Sequence, residues 1–93
     1  MKLRFYIDPE TGEPHIYNHG VAEQDVEEVL LNRGEERRGR NGSRVAIGQT
    51  ANGRYLQVIF VPDKAPDGDF VITAYELIGK PLLAYRRRRR KKK

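Results

Sequence analysis

At 93 residues the chain is sized for one domain, and 38% hydrophobic with 33% charged residues describes a globular protein rather than a disordered one. It has no cysteine, which excludes a disulfide framework and thiolate chemistry and fits a reducing compartment. The net charge of +5 is local: eight of the 18 basic residues form the run RRRRRKKK at 86–93, leaving ten against 13 acidic residues in a mildly acidic body.

LRFYID alternates, with Leu3, Phe5 and Ile7 on one face and Arg4 and Tyr6 on the other, and predicts a half-buried strand ended by the turn Asp8-Pro9-Glu10-Thr11-Gly12. PHIYNHG follows as a short helical turn. Pro14 suits its first position and Gly20 the left-handed residue just past its end. VAEQDVEEVLLNRG predicts the main helix, with the stripe Val26, Val29 and Leu30, early carboxylates at 23, 25, 27 and 28, a poor cap at Ala22 and a stop at Gly34. Residues 35–42, EERRGRNG, read as a charged loop. SRVAIGQT, ANG and RYLQVIFVP then give strand, hairpin turn and strand. The second of these strands, apolar on both faces apart from Gln57, is expected at the centre of the sheet. FVITAYEL is a further strand, and LLAYRRRRR begins a helix behind Pro81 that frays as the arginines accumulate.

The expected fold is therefore α+β: a small, mostly antiparallel sheet built from a strand, two helices and a three-strand meander, with the helices on one face. Residues 1–85 form the domain, and 86–93 are expected to be a solvated, disordered basic tail because like charges repel along the chain. MKLRFYIDPE has no apolar run of signal-peptide length and no segment approaches a membrane span, so a bacterial-type cytoplasm is the expected location, with no membrane partner.

His15 and His19 are the only histidines and stand four apart, a spacing that zinc ligands often use. Further ligands would have to be Asp or Glu and there is no HExxH pattern, so neither a metal nor another cofactor is expected. His19 has two other readings. As the last helical residue before Gly20 its ring can meet the final carbonyls, and as an imidazole it can contact RNA or move a proton.

The order of these motifs resembles a known family. HxxxHGV from His15 to Val21, RxxxIGxTxxGRxLxVxF from Arg44 to Phe60, VITA at 71–74 and the Tyr-Arg segment from Tyr85 are similar to the BrnT-type toxins of bacterial toxin–antitoxin pairs. The resemblance implies a RelE-like fold, a metal-independent endoribonuclease that cuts messenger RNA, and neutralisation by a cognate antitoxin protein. Members usually have Ser or Thr where Ala22 stands and basic residues where Tyr75 and Glu76 stand. A second reading is accordingly a non-catalytic RNA-binding or antitoxin-binding relative that kept the fold.

Such cleavage needs a base for the ribose 2′-hydroxyl, a cation for the phosphorane and an acid for the leaving 5′-oxygen. Strand positions nominate Arg54 and Arg44 to hold phosphate, Glu76 as base and Tyr75 as acid or stacking group, all expected to converge on the open sheet face with His19 as a further candidate. Arg86, Arg87, Arg88, Arg89 and Arg90 are the candidate nucleic-acid contacts, with an acidic antitoxin surface as the competing partner.

Overall fold

In the structure, a computed structural model that describes residues 2–63 and 68–91, strand β1 (Lys2–Phe5) leads through a turn to a 3-10 helix at His15–His19 and then helix α1 (Glu23–Leu31). The chain continues through β2 (Glu35–Arg38), a short 3-10 turn at Arg40–Gly42, β3 (Arg44–Gln49), β4 (Tyr55–Pro62), β5 (Gly68–Glu76) and helix α2 (Gly79–Lys91). Residues 64–67, expected as part of a proline turn, lie outside the described residues, as do the last two lysines of the basic run.

The five strands form one sheet in the order β1-β5-β4-β3-β2, which puts β4 at the centre. This is an α+β fold, but two expectations need correction. The sheet is mixed, because β1 runs parallel to β5 while the other neighbours are antiparallel. Residues 35–38, expected as loop, are the edge strand β2. Their charged side chains hide the strand from a pattern reading, yet such charges suit an exposed edge because they discourage pairing with another chain.

Alternation along the strands divides the core in two. Leu56, Val58 and Phe60 of β4, Ala46 of β3 and Val71 and Ala74 of β5 join Val26, Val29 and Leu30 of α1 in the larger cluster. Fully burying each Val or Leu is worth about 1.5–3 kcal/mol. Ile47 and Tyr55 are chain neighbours of Ala46 and Leu56, so they point the other way, where they meet Leu77, Leu82 and Tyr85. Helix α2 therefore packs on the sheet face opposite α1, while the two helices expected on one face, the 3-10 helix with Ile16 and α1 with Val26, contribute to the same cluster.

Val71 and Ala74 share a face although they stand three positions apart, a spacing that regular alternation would put on opposite faces. A β-bulge accounts for this. Ile59 pairs with Thr73 and Phe60 with Val71, so Ile72 is an extra residue in β5. The bulge resets which side chains of the strand end point to which face, leaving Tyr75 opposite Gln57 and Glu76 opposite Leu56.

The ends of α1 show how little of a capping signal is needed. Ala22 offers no side-chain acceptor, but its own N–H donates to Asp25 Oδ2 at 3.0 Å. The helix stops at Leu31 rather than at Gly34, whose N–H instead donates to the Ile47 carbonyl at 2.9 Å.

The basic segment differs most from expectation. Instead of leaving the fold as a disordered tail, residues 86–91 continue α2. Arg88 makes a forked pair with Glu35 at 2.7 and 3.0 Å, and Arg89 donates to the Gly34 carbonyl at 2.6 Å. Among the described residues, no helix is long and apolar enough to cross a membrane.

Candidate functional site

The 3-10 helix at His15–His19 packs beside β5, with Ile16 buried at 1% exposure as its anchor. Gly20 closes it at φ 69°, the left-handed conformation that glycine adopts without a Cβ clash, as its sequence position predicts. This turn carries both histidines to the exposed end of β5.

A chain of ring contacts runs across that end. Asp8 accepts from the Glu10 amide at 2.8 Å and from the Asn18 side chain at 2.8 Å, and its Oδ2 lies 3.2 Å from His15 Nδ1. The Glu10 amide, and then His15, hold the Asp8 carboxyl below its ordinary value. The His15 ring meets His19 edge-on at 5.2 Å between centroids, and His19 lies 6.0 Å from the ring of Tyr75. The Tyr75 hydroxyl accepts from Gln57 Nε2 at 2.7 Å. The His19 ring thus contacts His15 and Tyr75, rather than the final carbonyls of its own helix.

On the α1 side of the same strand end, Arg54 reaches three acceptors. Its guanidinium donates to the Gly20 carbonyl at 3.2 Å and lies 3.6 Å from Asp25 and 3.5 Å from Glu76. Arg54 keeps 28% side-chain exposure and Glu76 46%, so both remain open to solvent. Because Gly20 directly follows His19, the end of the 3-10 helix joins the ring chain to this ion-pair group.

The structure therefore brings together Arg54, Glu76, Tyr75 and His19, around the end of β5 rather than on one open face. It does not bring Arg44 with them. Arg44 opens β3, five strand residues or about 17 Å from Gln49 at the Arg54 end, and its guanidinium bonds Glu36 of β2 at 3.4 Å. Glu76 and Arg44 also face α1, opposite to Tyr75, so the expected convergence of all four on an open face is corrected.

Three members of this site, Asp8, Asp25 and Gln57, carry no sequence signal that singles them out as functional. Asp8 has only a turn signal, and what brings it to His15 is the bridge between Ile7 and Pro14. Asp25 is an ordinary first-turn carboxylate. Gln57 is legible as the one polar residue of β4 but has no partner until β5 is in register.

Chemically, the site offers a guanidinium, an exposed carboxylate, a phenol and an imidazole within one cluster. The positive groups of α2 lie elsewhere, with Arg88 and Arg89 fastened to the β2 corner.

No curated protein and no solved structure matches the chain. The family described as "Domain of unknown function (DUF4258)" matches residues 16–76, which run from the buried anchor of the 3-10 helix to the last residue of β5 and so include Arg54, Tyr75, Glu76 and His19. With about two thirds of its length matched, the chain belongs to the DUF4258 family.

Proposed function

We propose that this chain is a metal-independent endoribonuclease similar to the BrnT-type toxins, with its cleavage site at the end of β5. The observation that carries the reading is the placement of Arg54 beside Glu76, at a strand end that also carries Tyr75 and His19. In this reading Arg54 holds the phosphate that passes through the phosphorane, for which a guanidinium fork is suited. Glu76, exposed and acceptor-only when ionised, takes the 2′-hydroxyl proton. Tyr75 or His19 supplies the proton to the leaving 5′-oxygen. Asp8 orients His15, and His15 packs against His19, so these act by positioning. A cognate antitoxin is the expected protein partner, and the bacterial cytoplasm the expected location.

A second reading, a non-catalytic RNA-binding or antitoxin-binding relative with a RelE-like fold, draws on one specific feature. Arg54 is already held by Asp25, Glu76 and the Gly20 carbonyl, so substrate phosphate would have to displace those partners.

Induction in bacteria tests the choice. The native chain is expected to arrest growth and to generate discrete cuts in cellular RNA. Arg54→Ala should lower cleavage on the order of 10²–10³-fold, the usual cost of removing one preorganised stabiliser of transition-state charge. Folding of the variant is checked by circular dichroism. A folded Arg54→Ala protein of undiminished toxicity removes Arg54 from the site, and a harmless native chain favours the second reading.

A further inference from the structure

A separate hollow of about 490 Å³ lies between α2, the loop after α1 and the hairpin end of β3 and β4, within the size range of small-ligand pockets. It contains none of the residues of the β5-end group. Its walls carry Arg33, Arg86, Arg89 and Arg90 and, among the described residues, no carboxylate.

Helical spacing explains the concentration of charge. Leu82 and Tyr85 pack α2 on the sheet, and positions 86, 89 and 90 continue that side of the helix one turn further on. Two of the four guanidiniums already have partners. Arg33 bonds the Leu30 carbonyl and Glu36, and Arg89 bonds the Gly34 carbonyl. Arg86 and Arg90 have no hydrogen bond or ion pair among the described residues. Like charges four apart on a helix repel, so an anion placed between them would relieve a standing cost.

The remaining walls select among anions. Tyr55 is half-buried and sits edge-on to Tyr85 at 6.0 Å, which leaves an aromatic surface inside the hollow. Asn32 and Gln49 add side-chain amides, and Gln49 donates to the Gly53 carbonyl while its own carbonyl oxygen stays available as an acceptor. Cations, a ring and amides together match the parts of a nucleotide: phosphate, base face and base edge. An acidic peptide would satisfy the cations but would leave the ring and amides unused.

We propose that this hollow binds a phosphorylated nucleotide unit, with phosphate between Arg86 and Arg90 and the base against Tyr55, either as a free nucleotide or as one residue of single-stranded RNA. The proposal rests on the preceding reading only for the substrate class, and it does not require cleavage. On that footing the hollow would hold the strand while the β5 end acts on it.

Fluorescence anisotropy of a labelled ten-nucleotide RNA on the full chain, across a salt series, tests this. Arg86→Gln/Arg90→Gln should weaken binding at least tenfold and flatten the log–log salt slope by about 0.7, the contribution of the one phosphate no longer neutralised. Tyr55→Leu, which keeps an apolar side chain against Tyr85, should weaken binding at least fivefold by removing the stacking surface. Adenosine monophosphate that displaces the RNA identifies a free nucleotide as sufficient, and displacement only by unlabelled RNA identifies a unit of a strand. Either result supports the proposal. Native affinity and slope in the double arginine variant would overturn it, as would native affinity in Tyr55→Leu or no binding by the native chain. Polyglutamate competing as well as RNA would overturn it in favour of an acidic protein partner. Binding that depends on Arg86 and Arg90 without any cleavage would sink the ribonuclease reading alone, whereas cleavage with binding indifferent to both would sink this inference alone.

Discussion

A Cβ placed on Gly34 would run into the Tyr85 hydroxyl and approach the Ile47 carbonyl at 3.4 Å. Tyr85 is only 4% exposed and cannot swing aside cheaply. Gly34→Ala is therefore expected to destabilise the fold by about 1–3 kcal/mol, the usual cost of overpacking. Adding Tyr85→Phe, which deletes the colliding oxygen, should recover most of that deficit in urea denaturation. Independent, additive effects of the two changes would show that the two residues do not touch. The glycine is legible as punctuation at the end of a helical pattern. Its actual role, leaving room for an aromatic side chain 51 positions later, depends on a long-range approach that no local pattern encodes. Arg54 and Arg44 make the same point, since both read as strand arginines suited to phosphate. Only the pairing of β3 with a strand that carries no apolar signal gives Arg44 to Glu36.

Strand β2 and the second half of helix α2 hold each other, and both escape a local reading for the same reason: charge dominates the pattern. EERR has no apolar alternation, and self-repulsion is the strongest local signal in the arginine run. Arginine is nevertheless a good helix former, and α2 gains an apolar anchor at Leu82 and Tyr85 before the charges begin. Its second half is then fastened by Arg88 to Glu35. That hydrogen bond is the main reason the Glu35 carboxyl titrates below its ordinary 4.5. A depressed carboxylate contributes stability that is complete above the unfolded value and lost as pH falls through the folded one. Amide protection in the second half of α2 should accordingly hold at neutral pH and drop as pH falls below about 4.5, with β4 unaffected over the same range. Glu35→Gln should show the lower protection already at neutral pH and little further change on acidification. Equal protection in both proteins at neutral pH would mean that the pair does not fasten the helix.

At the scale of the whole molecule, the strands other than β2, the main helix, the central place of β4 and the α+β class are legible, because each rests on local periodicity and turn chemistry. The parallel pairing of β1 with β5 is not. It joins the first strand to the last, and nothing in either segment encodes the partner. The bulge at Ile72 is equally hidden, although it decides which face of the sheet Tyr75 takes and which Glu76 takes. The candidate site is consequently legible as residue types but not as an arrangement, and it wraps a strand end where a flat face is expected. The cationic hollow lies on another part of the surface, so binding and the proposed cleavage can be separated by substitution. In the proposed reaction the β5-end group cuts RNA through its 2′-hydroxyl. The direct measurement is to incubate the purified chain with an RNA containing a mapped cut position, and with the same RNA carrying one 2′-deoxy sugar there. A cut that leaves a 2′,3′-cyclic phosphate is expected in the first and no cut at that position in the second. Equal cutting of the deoxy substrate, or an RNA that is bound and left whole, would contradict it.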